Sequence, residues 1–233
     1  GAKTTADKIF GVLEIGDVKQ IDKKDAQELN ALHIKNLSKS YGDRQLFTHL
    51  NLDVQAGQKV LIKGPSGCGK STLFRLITGE EIADEGEIIG VTTVNECTSS
   101  FVSSIGIISQ HPFLFNDTVR YNLTLGQEFS EEELLAVLKQ VKLDFELTGG
   151  LDFIIKNNGE NISGGQRVRV ELARFLLRRK NLLLADEVTA ALDKENAFMV
   201  HELLFSLPVM MLEIAHHIDD ESRYQQVVDL GKY

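Results

Sequence analysis

Lys70 and Ser71 end the glycine-rich stretch Gly64-Pro65-Ser66-Gly67-Cys68-Gly69-Lys70-Ser71-Thr72. Together they are equipped to hold a polyphosphate. The spacing is that of a phosphate-binding loop, with a glycine six places before a Lys-Ser/Thr pair. Glycines at Gly64, Gly67 and Gly69 let backbone N–H groups, including those of Ser66 and Cys68, converge on an anion without Cβ clashes. A helix starting at the lysine adds unpaired donors and partial positive charge. Lys70 would reach the β- and γ-phosphates, the Ser71 hydroxyl would ligate Mg2+, and Thr72 completes the run. An ordinary turn before an ordinary helix is the bland alternative. Two glycines, a lysine and a hydroxyl at this spacing arise by chance in about one such chain in a hundred, so nucleotide binding is the stronger reading.

Other polar residues stand at the ends of apolar runs. Asp186 follows Leu182-Leu183-Leu184-Ala185 and fits a carboxylate that holds Mg2+ through its water shell. Glu187, directly after it, suits orienting or deprotonating an attacking water. Gln110 ends another apolar run and could bridge metal and water. His216 ends a fourth and could contact the γ-phosphate, with His217 as a competitor. Each has a plain alternative: a capping aspartate, a surface glutamate, a loop amide, a packed histidine. Ser163-Gly164-Gly165-Gln166 reads first as a capping box, Ser at N-cap and Gln at N3. That leaves two poor helix formers unexplained. A second phosphate-binding helix N-terminus would explain them, with Arg167 and Arg169 as structural or interfacial residues.

Such residues need elements that deliver them to one edge. Gln58–Lys63 reads as a buried strand feeding the phosphate loop, and Leu73–Ile77 as the helix after it. Ile105–Ser109, Asn181–Ala185 and Val209–Ala215 read as further buried strands, with Gln226–Leu230 as an edge strand. In open α/β sheets ligands sit at the carboxyl ends of the strands. Ala31–Leu37 and Leu50–Val54 alternate, as half-buried strands do, with Ser38–Asp43 as a turn. Ser130 caps a helix whose expected apolar face is Leu134, Leu135, Leu138 and Val141. Ser163 opens a helix to about Arg179, and Asp193 caps one to about Phe205. Residues 5–13 suggest a short amphipathic helix and 16–30 a polar linker. The expected fold is α/β: a P-loop NTPase parallel-sheet core, a small antiparallel β subdomain, and an inserted helical subdomain over about 112–178.

The chain has 233 residues and a net charge of −9, which disfavours a nucleic-acid partner. No apolar run approaches the roughly 18 residues of a membrane span, and no secretory leader pattern is visible. The two cysteines, Cys68 and Cys97, do not suggest a disulfide framework; the cell interior is expected.

Ile162-Ser163-Gly164-Gly165-Gln166 resembles the signature of ATP-binding-cassette ATPases. The phosphate loop, Gln110, Leu183–Glu187, Ala190-Ala191-Leu192-Asp193 and His216 occur in that family's order, and the resemblance covers about 31–233. It implies head-to-tail dimers sandwiching two ATP, the loop of one subunit facing the signature helix of the other. It implies that Tyr41 stacks on adenine and that Asp193 contacts the dimer partner. Hydrolysis would move transmembrane partners. Phe113–Leu123 and Ala6–Leu13 resemble the exporter class, which implies residues 1–30 lead from an upstream membrane domain, the ATPase domain being 31–233. The fragment would itself be soluble, at the cytoplasmic side of a cell membrane. Differences from the pattern are Ile162 for the usual Leu, Ala190 for Ser, His217 for Arg, and a loop at Ile155–Gly159 without the usual Glu. A soluble family member acting on ribosomes or DNA is the alternative; it usually needs paired cassettes or basic surfaces.

Overall fold

The computed structural model describes residues 28–92, 96–97, 100–144 and 146–233. The helix expected at 5–13 and nearly all of the linker lie outside the described residues. Two sheets organise the rest. β1 (Leu29–Tyr41), β2 (Arg44–Gln55), β4 (Glu85–Thr92) and β5 (Glu96–Cys97) form an antiparallel sheet in the order β2-β1-β4-β5. β3 (Lys59–Lys63), β6 (Ile105–Ser109), β7 (Leu182–Asp186), β8 (Met210–Ile214) and β9 (Gln226–Asp229) form a parallel sheet in the order β6-β7-β8-β3-β9. The helices are α1 (Lys70–Thr78), α2 (Val119–Thr124), α3 (Glu131–Gln140), α4 (Gly164–Leu177) and α5 (Lys194–Ser206). None of those described is long and apolar enough to cross a membrane.

The central strands are mostly apolar because both faces of the parallel sheet are covered. Val60, Ile62, Leu182, Leu184, Met210, Leu212 and Ile214 point into one core with Leu73 and Ile77 of α1 and with Leu32 and Phe47 of the antiparallel sheet. Leu61, Leu183, Ala185 and Met211 point the other way, into a core with Val168, Val170 and Leu172 of α4 and Val200 and Leu204 of α5. The helical insertion joins that second core through Leu123, Leu134, Val137, Leu138 and Val141.

Three details differ from the sequence reading. β1 begins at Leu29 and runs through Tyr41, so only Gly42 and Asp43 turn the chain. Its periodicity is broken at Asn36, which has φ 47° and lies at a register shift. Leu37, Ser38 and Lys39 are buried in succession after it. Lys39 keeps its ammonium satisfied on the Ile82 carbonyl (2.7 Å) and Glu81 (2.9 Å). On α3 the buried face is Leu134, Val137 and Leu138, while Leu135 is 52% exposed. Leu135 lies one residue, about 100° of helix rotation, from that stripe.

Candidate functional site

The parallel strands end on one level. Ser109 of β6 pairs with Asp186 of β7, Asp186 with Ile214 of β8, and Ile214 with Ile62 of β3. The residues that follow these ends are Gln110, Glu187, Ala215-His216 and the phosphate loop. Four strand ends thus emerge at the same edge of one sheet, as the sequence reading required.

The loop itself is shaped by positive backbone angles at Gly64 (φ 148°), Gly67 (φ 77°) and Gly69 (φ 104°), which side chains rarely tolerate. Gly69 is the N-cap of α1; no side chain caps that end and no acid occupies its first turn. Its N–H donors and its share of the helix dipole are therefore available to an anion. Lys70 is buried, its Nζ donating to the Gly64 (2.7 Å) and Pro65 (3.0 Å) carbonyls and 4.0 Å from the Cys68 thiol. Ser66 and Ser71 are exposed. Thr72 is buried and accepts from Arg75 (3.3 Å). Arg44 of β2 donates to the Gly67 carbonyl at 2.8 Å; nothing in the sequence singled it out.

Burial and the adjacent Glu187 charge raise Asp186, and the Lys70 charge opposes them in part. Glu187 sits at φ 50°, a left-handed conformation uncommon for any residue but glycine. Its N–H donates to the Ile214 carbonyl (2.9 Å) and its carbonyl accepts from Ala190 N–H (3.1 Å). One oxygen of its carboxylate lies 2.8 Å from His216 Nε2. His216, read from sequence as a group for the γ-phosphate, lies against Glu187. His217 is exposed.

Ser163 forms the capping box. Its hydroxyl accepts from Gln166 N–H (3.1 Å) and its own N–H donates to Gln166 Oε1 (2.9 Å). The glycine pair has an intramolecular cause that the sequence concealed. A Cβ on Gly164 would come within 2.8 Å of Leu192 Cδ2, and one on Gly165 within 2.9 Å of Asn196 Oδ1. Among the described residues, no hydrogen bond or ion pair joins Ser163–Gln166 to the phosphate loop. Asp193 caps α5 by accepting from Asn196 N–H (2.9 Å). Tyr41 is 44% exposed; its hydroxyl donates to Glu81 (2.9 Å) and accepts from Arg75 of α1 (3.3 Å).

The donor set at this edge is oxygen: the Ser71 hydroxyl, the Asp186 carboxylate and the Gln110 amide. That suits a hard cation such as Mg2+, which commonly takes few protein ligands.

Comparison with known proteins agrees with this architecture. A family profile described as "ABC transporter" matches residues 47–190. The chain is 35% identical over 237 residues to an ATP-dependent lipid A-core flippase of Francisella tularensis subsp. holarctica, covering 97% of this chain and 39% of that protein. It is 36% identical to the flippase of the same name from Desulfotalea psychrophila, covering 98% and 42%. An uncharacterized ABC transporter ATP-binding protein of Bacillus subtilis is 33% identical, covering 90% and 41%. The solved structure of a bacterial Atm1-family ABC exporter with ATP bound superposes with a TM-score of 0.73 and 29% identity, covering 97% of this chain and 42% of that one. The chain therefore spans about two fifths of the relatives it matches. The flippase and Atm1-family relatives are of the exporter kind, and none of these proteins points to the ribosome- or DNA-directed alternative.

Proposed function

The chain belongs to the ABC transporter family, as an ATP-binding domain of the exporter type, and on that premise we propose that it hydrolyses ATP to drive export across a membrane. The observation that carries the hydrolytic reading is the contact between Glu187 and His216 at the sheet edge that also holds Asp186 and the phosphate loop. Lys70 and the N-terminus of α1 bind the phosphates. Ser71, Asp186 and Gln110 would hold Mg2+, which would offset phosphate charge and orient the chain of phosphates. Glu187 accepts a hydrogen bond from the attacking water, and His216 fixes that carboxylate's direction. Tyr41 stacks on the base.

The phosphate loop has one side. A second copy, or a related cassette, closes it with the N-terminus of α4 and with Asp193. The helical subdomain over about 112–178 meets a membrane domain upstream of the 1–30 linker, and the domain works at the cytoplasmic face of its membrane. The flippase relatives make a lipid-linked molecule a reasonable class of cargo.

Glu187→Gln tests the reading. It keeps the shape of the side chain and removes its charge. Steady-state phosphate release should fall by about 10²-fold or more, while ATP affinity by titration stays within about twofold. Sedimentation of this variant should show dimers with ATP and monomers without it. Turnover unchanged from the unaltered chain overturns the role of Glu187; persistent monomers at saturating ATP overturn the two-chain site.

A further inference from the structure

Both polar atoms of the Gln166 side chain already have a protein partner. Its Oε1 accepts from Ser163 N–H (2.9 Å), and its Nε2 donates to Glu146 Oε2 at 3.0 Å. In an ordinary capping box the amide nitrogen of this glutamine faces water. Here it is anchored to a residue outside the helix, in the segment after α3. The same carboxylate takes two bonds from Arg169, one turn further along α4: NH1 at 3.1 Å and NH2 at 2.6 Å. Arg169 is 1% exposed, and its remaining donors go to the carbonyls of Gly165 (3.2 Å), Lys142 (2.8 Å) and Val141 (3.4 Å). Glu146 therefore grips the first two turns of α4 at two points.

We propose that Glu146 is the positioning residue of the α4 N-terminus: through Gln166 it sets the Ser163 hydroxyl and the leading N–H groups in the orientation that closes on the nucleotide of a second chain. The inference rests on the two-chain reading above. With its oxygen accepting from Gln166 N–H, the Ser163 hydroxyl keeps its own proton to donate to an approaching phosphate oxygen. If the Gln166 side chain were free to rotate, Ser163 N–H would lose its acceptor and the backbone that carries the Ser163 hydroxyl would loosen with it.

Electrostatics allow the arrangement. A bare carboxylate near this N-terminus would repel phosphate, but Arg169 pairs with it. Burial alone would push Glu146 up; the bonds from Arg169 and Gln166 and the Arg169 charge outweigh that and hold it below the usual carboxylate range. The pair is thus charged and mutually neutralised under the conditions in which ATP binds.

The competing role is that of a mere counter-ion for buried Arg169, and the test separates the two. Glu146→Leu alone strands the arginine and risks unfolding. The double variant Glu146→Leu/Arg169→Met removes both charges together and frees Gln166. It is made in the full chain carrying Glu187→Gln, with ATP as the probe. The expected result is ATP affinity per chain within about twofold of the parent, and a protein concentration for half-dimerisation raised about tenfold or more. Mixing it with chains carrying Lys70→Ala and Glu187→Gln should restore dimers, because one composite site then joins an intact loop to an intact α4. Dimerisation at the parent's concentration, or failure of the mixture to restore it, overturns the assignment. If the Glu187→Gln parent itself stays monomeric with ATP, the two-chain reading falls and this inference with it. A parent that dimerises beside an unaffected double variant removes the inference alone.

Discussion

Glu187 and Glu171 show how differently two carboxylates are used on one scaffold. Glu187 is half-buried beside His216, in a backbone conformation that its two main-chain hydrogen bonds hold against its intrinsic preference. Glu171, in the middle of α4, faces inward and accepts from Ser109 N–H at 2.9 Å, one residue before Gln110. Burial pushes Glu171 up to about 7; the Ser109 N–H and the Arg174 charge only partly oppose it. The consequence for stability has a definite sign. Below an ordinary value near 4.5 the group is protonated in both folded and unfolded chains. Between there and about 7 the folded chain holds more protons, so stability falls as pH rises, and by pH 8 the loss is on the order of 3 kcal/mol at most. Glu171→Gln keeps an oxygen for Ser109 and cannot ionise. Urea unfolding at about pH 5 and about pH 8 should show a smaller decline with pH in the variant than in the parent. Parallel declines would mean that Glu171 titrates as an ordinary surface acid.

At the scale of elements, α4 and α5 meet where the two glycines lie. Leu192 and Asn196 occupy the space a side chain on Gly164 or Gly165 would need. Asn196 cannot easily yield, because its Nδ2 donates to Asp193 Oδ2 at 2.7 Å. Gly165→Ala should therefore push the two helices apart and cost about 1–3 kcal/mol, as overpacking does, despite alanine's better helix propensity. Thermal unfolding of the ATP-free chain measures this. An unchanged or raised midpoint would leave anion approach as the sole reason for the glycine. The sequence pointed to these glycines but to a different cause, because the packing partners, Leu192 and Asn196, arrive much later in the chain. Doubly buried strands were legible, since a run such as Leu182–Ala185 has few other ways to be buried. The end of β1 was not, because the irregularity at Asn36 destroys the alternation that would have revealed it. Nor could Met210–Ile214 disclose that Glu213 is wholly buried in it, held by His201 Nε2 (2.7 Å) and the Tyr224 hydroxyl (2.5 Å). Arg44, Glu146 and Glu171 escaped for the same reason. Each is an unremarkable charge until tertiary structure supplies its partner, whereas Lys70, Asp186 and Glu187 are fixed by local spacing and by strand ends.

For the whole molecule, charge sets the conditions under which two copies can meet. Each chain carries a net charge of −9, and ATP adds more negative charge at the proposed interface. Long-range repulsion between like-charged chains opposes the head-to-tail pair and is screened by salt, the Debye length shrinking from roughly 30 Å at 0.01 M to about 8 Å at 0.15 M. The local contacts that would close the site are short: the α4 N-terminus on phosphate and Asp193 at the seam. Such contacts would lie within a Debye length and would be partly shielded from solvent, so salt would weaken them less. Raising ionic strength from about 0.02 M to about 0.15 M should therefore strengthen ATP-dependent dimerisation of the Glu187→Gln chain, by a few-fold in the half-dimerisation concentration. Sedimentation at several salt concentrations with nucleotide held saturating is the measurement. Weakening with salt would mean that complementary charges across the interface, and not the net repulsion of two acidic chains, dominate the encounter.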